Sequence, residues 1–220
     1  MSNGTFQPPT QFSVFPPVIK NLLILNGLIF FAQAVQWNNV LTFWFALWPL
    51  DMRGFPGDPQ FWPWQLVTYS FLHGNLSHLG FNMFALWMFG VQVENTWGSK
   101  RFSVFYFVTV IGAAIVQVIV TTMEPGPGLY PTVGASGGVF GVLLAFGMMF
   151  PEQPIYVSFI LPVKAKWFVL GYGALSLWWG VTGPSMIAHF AHLGGMLFGF
   201  LIIQFWRGKL PWKPAHRMYW

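Results

Sequence analysis

The chain has 220 residues, 55% hydrophobic and 20% aromatic, with 7% charged, a formal net charge of +5 and no cysteine. A soluble domain is about a quarter charged, so a water-soluble globule is excluded and a polytopic membrane protein is expected. Without cysteine there is no disulfide, thiolate catalysis or thiolate metal site. The basic residues are not clustered on a solvated domain, so no nucleic-acid partner is expected.

At roughly 20 residues per crossing, about five to seven helices fit, leaving little for a soluble domain. Apolar runs predict spans at 18–35, 76–94, 102–123, 136–150, 166–181 and 186–206. The first could be mistaken for a signal peptide, because "AQA" at 32–34 mimics a cleavage site. The region before it is proline-rich with Lys20 as its only charge, which argues for a retained span. Residues 36–65, rich in Trp, Phe and Pro and broken by "DMRGFPGDP", are too interrupted to span and too aromatic for a solvated linker. They read as a hairpin at headgroup level.

Lys100 and Arg101 follow the second span, Lys164 and Lys166 the fourth, and Arg207, Lys209, Lys213 and Arg217 the sixth. With Lys20 they share one side if six helices alternate, and Arg53 alone falls opposite. Lys and Arg mark the cytoplasmic side, so both termini are predicted there. The second, fourth and sixth spans then enter from outside.

Polar side chains inside spans are costly and usually functional. Four stand out: His78 and Asn82 on the second span, Ser136 heading the fourth in "YPTVGASGGVFG", and His192 on the sixth. At about 1.5 Å per residue, Asn82 and His192 each lie roughly 9 Å from the outer end of their helices. The fourth run covers only about 22 Å of a core near 30 Å, which puts Ser136 some 8 Å below the outer face. Gly137 with Gly141, and Gly195 with Gly199, form G-x-x-x-G steps that let backbones meet.

Serine needs a base within about 3 Å to act as a nucleophile, and neutral His192 fits. His78 and Asn82, four apart on one helical face, can donate N–H groups to an oxyanion, with the backbone N–H of Ser136 as a third donor. None of the acids, Asp51, Asp58, Glu94, Glu124 and Glu152, falls at this level, so a Ser–His dyad is inferred. Ring contact with Phe140, one turn below Ser136, is the expected orienter of His192.

"GASG" at 134–137, "HGNLSHLGFN" at 73–82 and "AHLGGMLFG" at 191–199, in this order and topology, resemble the rhomboid family of intramembrane serine proteases. The likeness spans roughly residues 18–206 and takes in Trp64 and Gln65, where the family often carries Trp-Arg, and "GVQVE" closing at Glu94. It implies an all-α membrane protein: a six-transmembrane-helix bundle with an interfacial external hairpin between helices one and two. A cytoplasmic tail of 1–17 precedes the membrane domain of 18–206, and a basic cytoplasmic tail of 207–220 follows it. The resemblance implies Ser136 as nucleophile, His192 as base, His78 and Asn82 on the oxyanion side, and Gly134, Gly137, Phe140, Gly195 and Gly199 in support. It implies no cofactor and no metal, single-span transmembrane substrates cut near their external end, and a multi-pass protein of the bacterial inner membrane. Departures are Gln65 for the frequent Arg and Phe140 where some relatives carry Tyr.

The same residues also admit other readings. Ser136 alone reads as a packing residue among glycines, and His192 alone as a satisfied interior histidine. His73 reads as a structural hydrogen-bonding group, His189 as a water-access neighbour of His192, Asn75 as a cap, Glu94 as a helix terminus and His216 as a solvated tail residue. G-x-S-x-G at 134–138 also matches the soluble hydrolase elbow, which needs a preceding strand and an acid between serine and histidine. H-E-x-x-H is absent, and histidines 78, 189 and 192 alone are a poor zinc set. A non-catalytic six-helix partner-binding protein or a small transporter is the alternative from another class.

Overall fold

The computed structural model describes residues 12–50, 59–123, 130–157, 160–182, 187–212, 214 and 217–218. Arg53, Asp51, Asp58, Glu124, Lys213 and His216 lie outside these residues, as does most of the turn expected at 182–185. In chain order, α1 (Pro17–Ala32) continues through a π-helical turn (Gln33–Trp37) into α2 (Asn38–Phe45). A short α3 (Gln65–Thr68) and a 3-10 turn (Tyr69–Phe71) lead to α4 (Leu76–Trp97) and α5 (Ser99–Met123). Then come α6 (Ser136–Met149), a hairpin of β1 (Pro154–Val157) and β2 (Leu161–Lys164), α7 (Ala165–Thr182) and α8 (Ile187–Trp206).

The molecule is a mostly helical membrane protein. Pro17–Val35, Ser99–Met123 and His189–Trp206 are long and apolar enough to cross a bilayer, and Ser136–Met149 is a shorter apolar helix. Boundaries shift where local chemistry differs from the apolar pattern. Gly98, at φ +77°, reverses the chain in a single residue, so Lys100 and Arg101 sit on the first turn of α5 rather than in a loop. The β-hairpin departs from an all-helical reading. Pro151, Pro154 and Pro162 interrupt helix formation there, and Pro154 pairs with Lys164 and Val157 with Leu161. Glu152 ties its base to Lys164 at 2.7 Å and to Lys166. The Gln92 and Gln153 amides bond reciprocally, at 3.2 and 3.3 Å, and join the hairpin to α4.

Ten of the fourteen α6 residues are buried, so this helix is a central post enclosed by its neighbours. Its contact with α8 is made of glycine: a Cβ at Gly195 would collide with the backbone carbonyl of Gly137, and one at Gly199 would lie 3.4 Å from Gly141 Cα. By contrast α1 buries only Ile19, Leu22 and Asn26. Its Pro16 cap offers no side-chain bond, and its first N–H groups are instead taken by the buried Glu94 carboxylate, from Val18 at 3.0 Å and Ile19 at 2.9 Å. Ser99 donates to the same carboxylate at 2.6 Å. Glu94 is therefore a cap supplied from another helix, where a carboxylate suits the positive end of the dipole.

Both tails touch the bundle. Ser13 exchanges bonds with the Asn95 side chain, at 2.9 and 2.8 Å. After α8 the chain folds back, so that Met218 is buried and its N–H donates to Trp206 O at 2.8 Å. The Met218 side chain joins the core.

Candidate active site

Ser136 is the first residue of α6, and the segment before it is held on both sides. Leu47 and Thr132 exchange backbone bonds at 3.0 and 2.9 Å, and Gly134 N–H donates to Tyr69 O at 2.9 Å. Tyr69 is itself anchored by its hydroxyl on Val110 O at 2.9 Å. Gly134 has φ +126°, a conformation L side chains avoid, and a Cβ there would stand 2.7 Å from His78 Cε1 and Nε2. The chain thus arrives at Ser136 through a glycine that leaves room for an imidazole. Ala135 caps α6 without a side-chain bond, and first-turn N–H groups have no acceptor within the helix.

Across the glycine seam, α8 brings His192 Nε2 to 2.9 Å from Ser136 Oγ. With Nε2 accepting the serine hydroxyl, the neutral ring carries its proton on Nδ1. That Nδ1 has no partner among the described residues. The ring is oriented instead by Phe140, stacked face to face with centroids 4.1 Å apart and planes 6° from parallel. His189 meets the His192 ring edge-on at 6.0 Å.

Helix α4 brings His78 over Gly134, two residues before Ser136, and carries Asn82 one turn further along. Asn75 caps α4 by accepting the His78 N–H at 2.8 Å, and Gly74 N–H reaches His78 Nδ1 at 3.5 Å. An accepting Nδ1 puts the proton of neutral His78 on Nε2, the nitrogen over Gly134. Asn82 is buried and donates one amide hydrogen to His78 O at 2.9 Å, and its NH2 group carries a second. His73 is buried with its ring edge-on to His78 at 5.1 Å. Burial first, and the His78 ring second, push its pKa down to about 4, so it is neutral at physiological pH.

The described acids serve elsewhere, Glu94 at the start of α1 and Glu152 on its lysines. Among the described residues no group of three metal-ligating side chains is placed to hold an ion. Gln65, standing where an Arg was expected, is fully buried; its Oε1 accepts Trp48 N–H at 3.3 Å and its Nε2 donates to Gln60 O at 3.1 Å and Trp44 O at 3.3 Å. Trp48 and Trp64 indoles cap the end of α2, donating to Phe43 O at 3.1 Å and Trp44 O at 2.9 Å. Sequence reasoning missed Tyr69 and Gln33. Tyr69 carries no motif, whereas Gln33, a buried amide in an apolar run, was a signal hidden inside the apparent cleavage site.

A rhomboid domain matches residues 60–208, more than half of the chain. The chain belongs to the rhomboid family. It is 30% identical over 140 residues to Rhomboid protein 1, mitochondrial, of Saccharomyces cerevisiae, covering 62% of this chain and 40% of that protein. Rhomboid protease GluP of Bacillus subtilis is 31% identical over 137 residues, 62% of this chain and 25% of its own length. The presenilin-associated rhomboid-like protein, mitochondrial, of Rattus norvegicus is 32% identical over 158 residues, 69% and 39% respectively. The chain therefore spans at most two fifths of the length of these relatives.

Proposed function

We propose that this protein is an intramembrane serine endopeptidase with Ser136 as nucleophile and His192 as general base. The observation that carries this reading is the 2.9 Å contact between Ser136 Oγ and His192 Nε2 across the α6–α8 seam. In the proposed reaction His192 Nε2 takes the hydroxyl proton as Oγ attacks the scissile carbonyl carbon. The oxyanion is met by the Ser136 N–H, the His78 Nε2–H and the free amide hydrogen of Asn82. His192 then gives its proton to the leaving amine, and an ester remains on Ser136. A water, deprotonated by His192, then attacks the ester carbonyl carbon; the C–Oγ bond breaks, His192 returns the proton to Ser136 Oγ, and the new carboxyl terminus is released.

In this reading α1, α4, α5, α6, α7 and α8 cross the bilayer, within a domain of residues 18–206. Residues 1–17 and 207–220 lie on the cytoplasmic side of a bacterial inner membrane, by the bias of Lys and Arg. The segment 36–65 then lies at the external interface. A helix of 14 residues is about 21 Å long against a hydrocarbon core near 30 Å, which supports an active centre sunk below the outer surface. Substrates are single-span membrane proteins cut near their external end at small residues, where nearby Gly or Pro loosens the helix.

The deciding experiment is fluorophosphonate labelling of purified protein, followed by mass spectrometry of products from a reconstituted single-span substrate. Labelling and cleavage are expected to vanish in Ser136→Ala and His192→Ala, with a double variant no worse than either single. Cleavage is expected to slow in acid, because protonated His192 cannot accept the serine proton. A folded wild type that neither labels nor cleaves would favour partner binding or transport, and cuts in the cytoplasmic half would overturn the topology.

A further inference from the structure

Gln33 is a buried amide at the end of an apolar helix, and it opens the π-helical turn that joins α1 to α2. Wide turns of this kind often mark functional positions. Both ends of its amide engage the backbone of one residue forty positions away. Oε1 accepts the N–H of His73 at 3.0 Å, and Nε2 donates to the C=O of His73 at 3.3 Å. The same Nε2 donates across the π-turn to Asn38 Oδ1 at 3.1 Å.

His73 is the first of three residues that touch His78 in succession. Its ring packs edge-on against the His78 ring at 5.1 Å and 67°. Gly74 N–H points at His78 Nδ1, and Asn75 Oδ1 holds the His78 N–H. Holding residue 73 therefore holds the ring's face, its tautomer and its backbone. The opposite nitrogen, Nε2, lies over Gly134, two residues before Ser136.

We propose that Gln33 is a positioning residue for His78, acting from the π-turn of α1 through the backbone of His73. The inference rests on the reading of Ser136 and His78 given above. A side chain of equal length without the amide leaves both His73 backbone groups unpaired, and the segment of residues 73–75 beneath the imidazole loses that anchor. Catalysis suffers more than substrate affinity, because the oxyanion contact forms only in the transition state.

The test uses the full chain in liposomes with a single-span substrate. In Gln33→Met, kcat is expected to fall about tenfold with KM within about twofold, while in a His78→Ala background the same substitution should cost nothing further. The His78 imidazole 15N shifts should report one Nε2–H tautomer in the wild type and a mixture in Gln33→Met. Should Gln33→Met not fold, Gln33→Glu keeps the acceptor for His73 N–H and is expected to lose part of the rate, again only when His78 is present. Full activity in Gln33→Met, or an equal loss with and without His78, overturns the proposal while leaving the protease reading intact. A wild type without Ser136-dependent cleavage removes both.

Discussion

Helices α7 and α8 both carry glycines that face neighbouring helices, yet the glycines of the two are packed differently. On α8, a Cβ at Gly195 would meet the backbone of Gly137 on α6, and one at Gly194 would lie 3.1 Å from Ala113 Cα on α5. On α7, Gly171 has nothing within 4 Å, and Gly173 would meet only the end of Met196 at 3.2 Å. Helix α7 buries Ala165, Val169, Ser176 and Gly180 and leaves Trp167, Leu170, Trp178 and Trp179 exposed. A backbone cannot retreat from an added methyl group, whereas a methionine end can. The α6–α8 seam is therefore stiff where a hydroxyl and an imidazole meet within 3 Å, whereas α7 packs tightly on α6 where Val169 meets Gly147 and is adjustable at Gly171 and Gly173.

Among variants that keep Ser136 and His192, the largest effect is expected from Gly195→Ala. Its methyl group would force α8 away from α6, and a misplacement of about 1 Å costs about 10²-fold or more in rate. Cleavage assays together with the thermal midpoint of the purified variant check this, and a variant with wild-type rate would break the contrast between the seams. On the α4 side of Ser136, His78→Ala and Asn82→Ala should each lower kcat by around 10²-fold with little change in KM. A change confined to KM would assign those residues to substrate docking.

Gly171→Ala should leave activity unchanged and raise stability by up to about 1 kcal/mol, since alanine is the better helix former and nothing opposes its methyl group. Denaturation of the variant in detergent measures it, and a loss of activity would show that α7 is not adjustable there. The smallest effect concerns Glu152, whose bonds to Lys164 and Lys166 hold its pKa down to about 2. Any stability from this depressed carboxylate is present above the ordinary carboxylate range and lost as pH falls through about 2. Because the group is fully exposed, solvent screens the pair, and Glu152→Gln should not move the thermal midpoint between pH 8 and pH 5.

Much of the helical framework was legible because lipid imposes simple rules. Each predicted apolar run coincides with a helix to within a few residues at its ends, and for the three long and apolar enough to cross a bilayer the reason is that a backbone in hydrocarbon must satisfy its own hydrogen bonds. The paired G-x-x-x-G steps foretold a close approach for a similar reason, as only glycine leaves the space. The β-hairpin at 154–164 was not legible, because residues 151–165 fell between two predicted spans and strands of four residues that hold Pro154 and Pro162 are too short to show a period. Gln33 escaped for a different reason: its partner lies forty residues away, and no periodicity reports such a bond.

The amino-acid sequence by itself determined that this is a helical membrane protein of the rhomboid family, since composition, apolar length and short motifs are local properties. Only the tertiary structure decided which groups meet. It set the Glu94 carboxylate at the start of α1, the Phe140 ring against His192, and the Gln33 amide on the backbone of His73. Each is a contact between distant segments, fixed by packing around α6, where a shift of one residue in register would send a different side chain to the same place.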